Sequence, residues 1–182
     1  MKLLRTIRLD PSDTFIFDPA AEPGEWAVSG AFVFWHRNPA DLEGKARTAL
    51  RSGFLGVDSL GWSTLVQIVE ASAEDRRALV DALARRLVSD FGAPGLDVAR
   101  AAAEEEVAFA ESLCEPPVDT LVAVRRSFED GELRESFRTL RPRDGPKPAR
   151  AFAFLEVEGE EEQGEAVDLV GLAARERSGR SP

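Results

Sequence analysis

The stretch TLVAVRRSFEDGELRESFRTLR, residues 120–141, decides the fold of this chain. Two runs rich in β-branched, aromatic and arginine residues flank Asp130 and Gly131, the pair preferred in a two-residue type I′ turn. The pattern therefore predicts a β-hairpin with strands over 120–129 and 132–141.

The two-residue turn also predicts which residues face each other across the hairpin. Counted outward, the pairs are Phe128 with Leu133, Arg126 with Glu135, Val124 with Phe137, and Val122 with Thr139. This face is apolar apart from one charge pair, so we expect it to be the face turned to the core, because a slip of one residue would expose it. The opposite face carries Arg125, Ser127, Arg134, Ser136 and Arg138, which we call the arginine strip.

The arginine strip is unusual because the whole chain is acidic, with 33 acidic and 23 basic residues and a net charge of −10. Guanidinium groups bind carboxylates and phosphates with two parallel hydrogen bonds. The strip is therefore the predicted site for an anion or for a partner protein with an acidic surface. The alternative is a solvated face whose arginines pair within the molecule, with the acidic segment 156–165 as an intramolecular partner.

Away from the hairpin, strand and helix signals are partly segregated along the chain. The nearly continuous apolar run 62–70 is typical of a central strand. The pattern predicts further strands at 2–9, 14–18, 25–35 and 151–158, and helices at 38–51, 72–91 and 96–113. The predicted fold is a single α+β domain over 1–158, a mostly antiparallel or mixed sheet with about three helices packed on it. Residues 159–182 are predicted to be an acidic, then polar tail that is partly disordered.

Composition excludes several classes of function. The negative net charge disfavours nucleic-acid binding, and the sequence pattern predicts neither a signal peptide nor an apolar run that could span a membrane. One cysteine, Cys114, cannot form an intramolecular disulfide, which favours the cytoplasm. A single histidine excludes a multi-histidine metal site, and no phosphate-loop or dinucleotide motif occurs, so we predict no cofactor.

Three groups remain as candidates for chemistry. Cys114 lies on an apolar helical stripe between Glu111 and Glu115, which indicates a buried thiol rather than a nucleophile. His36 follows the strand predicted at 25–35 and is interpreted either as a general base or as a polar residue that leads into a helix cap. The aromatic residues of that region either line a pocket, with His36, Arg5 and Arg8 as its polar groups, or form core. The aromatic residues are Phe15, Phe17, Trp26, Phe32, Phe34 and Trp35.

Several stretches of the chain resemble a family of small acidic proteobacterial proteins of unknown function. They are KLLRTIRLDPSDTF (2–15), GEWAVSGAF (24–32), GFLG (53–56) and GWST (61–64). The resemblance carries no catalytic residues, and it implies an accessory role beside redox or lipoate-ligase-like enzymes. Two hypotheses follow: a non-catalytic interaction protein of the bacterial cytoplasm, or a small-molecule-binding protein or enzyme that uses the aromatic region. The oligomeric state stays open.

Overall fold

The computed structural model describes residues 1–129, 131–142 and 155–158. Within these ranges the chain forms eight strands, four α-helices and two short 3-10 helices. In chain order they are β1 (Lys2–Ile7), α1 (Ser12–Ile16), β2 (Trp26–Val28), 3-10 helices at Ala31–Phe34 and Pro39–Asp41, α2 (Gly44–Ser52), β3 (Phe54–Gly56), β4 (Trp62–Ser63), β5 (Leu65–Glu70), α3 (Ala73–Ser89), α4 (Leu96–Ser112), β6 (Leu121–Glu129), β7 (Glu132–Pro142) and β8 (Leu155–Glu158).

All eight strands belong to one sheet in the order β4-β3-β2-β1-β5-β6-β7-β8. Each neighbouring pair is antiparallel. This confirms the predicted α+β class and the mostly antiparallel sheet. β5 lies between β1 and β6, so the apolar run that starts at residue 62 does supply a central strand. The predicted tail, 159–182, lies outside the described residues.

The hairpin of β6 and β7 has the register that the turn predicts. Phe128 faces Leu133, and the three further pairs follow as expected down to Val122 and Thr139. Val122, Val124 and Arg126 are buried, which confirms that this face is the inner one. The register follows from the length of the turn, because any slip would move these side chains into solvent.

The strand predicted at 14–18 was wrong, and the run predicted as one strand across 62–70 forms two strands. Residues 12–16 form α1, an additional fourth α-helix, and this helix carries the buried Asp13. Asp13 accepts hydrogen bonds from the Thr64 amide at 3.1 Å, the Thr64 hydroxyl at 2.5 Å and the Ser63 hydroxyl at 3.3 Å. Because a side chain takes the Thr64 N–H, the run breaks there into β4 and β5.

The long strand predicted at 25–35 was also wrong, because β2 ends at Val28 and a 3-10 turn begins at Ala31. Gly30 lies between them with φ of 76°, a left-handed conformation that ends the strand. A Cβ atom at Gly30 would lie 2.6 Å from the Leu55 Cβ atom, so a larger residue does not fit. The alternation of aromatic residues over 25–35 predicts a longer strand. Hydrophobic periodicity by itself does not detect the turn at Gly30.

The three predicted helices are present with shifted starts or ends. The helix predicted from residue 38 is a 3-10 turn followed by α2. α3 begins at a capping box in which Ser72 accepts from the Asp75 amide and Asp75 accepts from the Ser72 amide. α4 packs against α3, β1 and β2. Its buried stripe consists of Ala99, Ala103, Val107 and Ala110, and the buried Cys114 follows just after the helix ends.

We expect the Cys114 thiol to react slowly in the native protein. The side chain is buried and its thiol donates to the Ala110 carbonyl, with 3.4 Å between Sγ and the oxygen. Burial raises the pKa of this thiol to about 11, and the positive charge of Lys2 acts in the opposite direction. Against an ordinary value near 9.0, this lowers the thiolate fraction at neutral pH by roughly 100-fold. The reaction rate of Cys114 is measured by labelling with a thiol reagent, once in the native protein and once after denaturation. Equal rates in both states would contradict this prediction.

Candidate functional site

The arginine strip lies on the solvent side of the hairpin, where all five of its side chains are exposed. Arg125 faces Ser136, Arg134 faces Ser127, and Arg138 faces Ala123 across the strands. Arg134 and Arg138 are therefore the two diagonal neighbours of Arg125, close enough for long side chains to share one ligand. The register thus gathers three guanidinium groups on one small surface.

The charges of the strip are only partly neutralised. Arg134 pairs with Glu129, with 3.2 Å between Nε and Oε2, and the Ser127 hydroxyl donates to the other oxygen of Glu129 at 3.3 Å. The Ser136 hydroxyl donates to the Arg125 carbonyl at 3.3 Å. Within the described ranges, Arg125 and Arg138 have no carboxylate within salt-bridge distance. The strip therefore carries two guanidinium charges that an acidic group could bind.

On the reverse face, Arg126 is buried and ties the hairpin to the rest of the fold. Its Nε lies 2.7 Å from the Glu135 Oε1 atom. One terminal nitrogen donates to the carbonyls of Leu50 and Gly53 at 3.1 and 2.7 Å, and the other to the carbonyl and hydroxyl of Ser29 at 2.5 and 3.0 Å. Burial lowers the pKa of Arg126, and the Glu135 carboxylate opposes that effect. We call Arg126 and these partners the Arg126 node.

Glu106 of α4 brings a second carboxylate to the Arg126 node. Its Oε1 accepts from the Gly30 amide at 2.9 Å, and the Ser29 hydroxyl donates to Glu135 at 2.5 Å. Burial is the largest influence on Glu106 and raises its pKa, the Gly30 amide lowers it, and the charge of Glu135 raises it further. The Ser29 hydroxyl donates to a carboxylate that already binds a guanidinium. The arrangement therefore fits a structural anchor that fixes the hairpin.

The polar groups proposed for a small-molecule pocket do not converge. His36 is exposed. Arg5 donates to the Gly24 carbonyl at 2.8 Å and lies 3.8 Å from the Trp26 ring, while Arg8 donates to the Ala21 carbonyl at 2.6 Å. Both arginines thus hold the loop before β2 against β1. None of the three lines either of the two cavities described next.

The aromatic residues of 15–35 divide between core and surface. Phe17 and Phe34 are buried, whereas Phe15 and Trp35 are each 71% exposed. A groove of about 720 Å³ passes Trp35 and the tip of the hairpin, and we call it the Trp35 groove. A second cavity of about 420 Å³ lies beside Trp62 and Lys45. The Trp35 groove is lined mainly by apolar and aromatic side chains, with one arginine among them. These lining residues include Phe34, Trp35, Arg37, Pro39, Phe128 and Leu133.

Two kinds of feature are absent from the part of the chain that the structure describes. No group of three or more His, Cys, Asp or Glu residues is placed to hold a metal ion. No helix there has the length and apolar character needed to cross a membrane.

Comparison with known proteins gives one family. A sequence model of a family of unknown function (DUF6505) matches residues 1–155. The chain belongs to this family. This confirms the expected membership of a family of unknown function, and the matched region includes the arginine strip, the Arg126 node and the Trp35 groove. No curated protein and no solved structure matches the chain.

Sequence reasoning identified part of this site. The turn predicted the Arg126–Glu135 pair and the outward arginines, because both follow from local register. It missed Ser29 and Glu106, which come from segments distant in sequence. The one available signal was Arg126 itself, since a charge on an otherwise apolar strand face requires partners.

Proposed function

We propose that this protein is a non-catalytic accessory protein of the bacterial cytoplasm that binds an acidic surface of a partner protein through the arginine strip. The observation that carries the proposal is the exposure of three diagonally adjacent arginines, two of them without a salt bridge among the described residues. On a chain of net charge −10, this local reversal of sign steers an acidic surface to the hairpin.

The Arg126 node supports this proposal because it holds the strip in place. A rigid two-stranded platform keeps the guanidinium groups at fixed separations, so less conformational freedom is lost when a partner binds. Arg126 and Glu135 lie on the inner face directly behind the strip, and both come from the same two strands. The arginine strip therefore lies on two strands whose inner face is anchored by the buried hydrogen bonds of Arg126.

The accessory role beside a redox or ligase-like enzyme comes from the sequence resemblance and forms part of the proposal. The alternative of a small-molecule-binding protein or enzyme has less support. His36 is exposed, and Arg5 and Arg8 bind backbone carbonyls of their own loop.

The combined change Arg125→Ser, Arg134→Ser and Arg138→Ser should abolish partner capture while the fold is kept. Exposed ion pairs contribute about 0.2–1 kcal/mol each, so losing three lowers affinity by a factor of roughly 3 to 150. The measurement is capture from a native-host lysate with wild-type and variant bait, with the captured proteins identified by mass spectrometry. Capture should also weaken as salt rises, because exposed charges are screened.

A matched control changes the same total charge elsewhere on the surface. Arg51, Arg77 and Arg85 are exposed and lie on α2 and α3 rather than on the two strands of the hairpin. Replacing all three with Ser should leave capture at the wild-type level, and both triple variants should melt at similar temperatures. If the control variant loses capture equally, net charge rather than the strip is responsible, and the proposal fails. Unchanged capture by the strip variant also refutes it.

A further inference from the structure

The Arg126 node brings together one guanidinium group and two carboxyl groups. Glu135 of β7 lies 2.7 Å from the Arg126 Nε atom, and Glu106 of α4 accepts from the Gly30 amide at 2.9 Å. The Arg126 side chain is fully buried, and the Glu135 side chain is 18% exposed. Charges held away from water are costly unless each has a counter-charge. If both carboxyl groups were ionised, the node would carry one negative charge that its guanidinium cannot balance.

The hydrogen bonds show which carboxyl group lacks a counter-charge. Glu135 Oε1 accepts from the Arg126 Nε and from the Ser29 hydroxyl, both contacts that stabilise an anion. The other donors of Arg126 bind backbone carbonyls and the Ser29 hydroxyl. Among the described residues, Glu106 receives a hydrogen bond from the Gly30 amide and from no other group. A protonated carboxyl group can accept that bond equally well, because its carbonyl oxygen remains an acceptor.

The elements that pack against α4 bring other charges to other positions on it. These elements are α3, β1 and β2, and β2 (Trp26–Val28) has no charged residue. The charged contacts from α3 and β1 are Arg76 with Glu104 and Glu111, Asp81 with Arg100, and Lys2 with the carbonyls of Glu115 and Pro116. Within the described part of the chain, the charges that act on Glu106 are therefore those of Glu135 and Arg126.

The pKa of Glu106 agrees with this geometry. Burial raises it, the Gly30 amide lowers it, the charge of Glu135 raises it and the charge of Arg126 lowers it, and the result lies above the ordinary value of 4.5. The folded chain therefore keeps a proton on Glu106 at a pH where the unfolded chain has released it. The free energy of unfolding then decreases as the pH rises from the ordinary pKa through the pKa of the folded state.

We propose that the Arg126 node is a proton-dependent contact between α4 and the hairpin, in which a proton on Glu106 removes the second negative charge. With this proton in place, the guanidinium and the Glu135 carboxylate balance each other. When the pH rises, the proton passes to solvent, two carboxylates face one guanidinium, and the contact that supports the hairpin weakens. The proposal stands whether or not the arginine strip binds a partner.

Glu106→Gln tests this proposal, because glutamine has the shape of the protonated side chain and does not ionise. Denaturant unfolding of wild type and variant is compared from about pH 4 to pH 8, and the ratio of their unfolding constants should change by up to about tenfold per pH unit while Glu106 titrates. The variant should be at least as stable as the wild type at the upper end of this range.

Glu105→Gln is the matched control, because Glu105 is exposed and precedes Glu106 on the same helix. It removes the same charge, and its unfolding constant should keep a constant ratio to that of the wild type. A second test repeats Glu106→Gln in a chain that already carries Glu135→Gln. There Glu106 is the one carboxylate left to balance Arg126, so its replacement should now lower stability.

Three outcomes would each overturn the proposal. A Glu106→Gln chain that is less stable than the wild type at neutral pH, or that does not fold, would show that ionised Glu106 stabilises the node. A ratio of unfolding constants that does not change with pH, or that changes equally for Glu105→Gln, would exclude a proton specific to Glu106. The same sign of effect with and without Glu135→Gln would show that charge balance with Glu135 is not the cause.

Discussion

Replacing Arg126 with Ala is expected to lower the free energy of unfolding by about 3–5 kcal/mol, the usual result of removing one partner of a buried ion pair. The change would leave the Glu135 carboxylate without its guanidinium and the Leu50 and Gly53 carbonyls without their donor. Each such unpaired buried group costs about 1–3 kcal/mol. Denaturant unfolding followed by circular dichroism measures the loss.

The neighbouring residue provides the control for Arg126. Arg125 precedes it on β6 but points to solvent and has no salt bridge among the described residues. Arg125→Ala should change the free energy of unfolding by no more than about 0.5 kcal/mol, as surface substitutions usually do. A similar loss from both substitutions would show that side-chain volume or strand propensity, rather than the Arg126 node, determines stability here.

The second large effect is expected at Ile68, where substitution by Ala should cost about 2–5 kcal/mol through lost burial and the cavity left behind. Ile68 is fully buried on β5 and faces Leu4 of β1. Its backbone N–H and C=O bind Thr120 and Asp119, and the substitution keeps both bonds. The loss therefore measures side-chain packing in the central strand.

Glu70, exposed at the end of the same strand, is the matched site for Ile68. Glu70→Ala should change stability by less than about 0.5 kcal/mol in the same denaturant experiment. A loss below about 1 kcal/mol for Ile68→Ala would contradict the central position of β5, because a cavity in a packed core cannot be that inexpensive.

Local features of the sequence predicted the hairpin and three of the four α-helices that the structure describes. The turn pair before Glu132 specified the register of β6 and β7, and the capping residues Ser72 and Asp75 specified the start of α3. These signals act between residues that are close along the chain, so one sequence is enough to interpret them. The arginine strip is exposed for the same reason, since register alone assigns its residues to one face.

The tertiary structure decided where strands stop. Asp13 breaks the run at Thr64, and Gly30 turns the chain out of β2 while Glu106 accepts its amide. These contacts join residues 51 and 76 positions apart. Hydrophobic period carries no information about such partners, so alternation predicted longer strands than the chain forms.

The sequence by itself determined the α+β class, the hairpin register and the outward face of Arg125, Arg134 and Arg138, because each depends on neighbours along one or two strands. Only the tertiary structure decided that Arg126 binds Ser29, Leu50 and Gly53, and that Trp35 meets the hairpin tip at a groove. Those contacts arise when distant segments pack together, and a buried charge shows only that partners are needed, not which segments supply them.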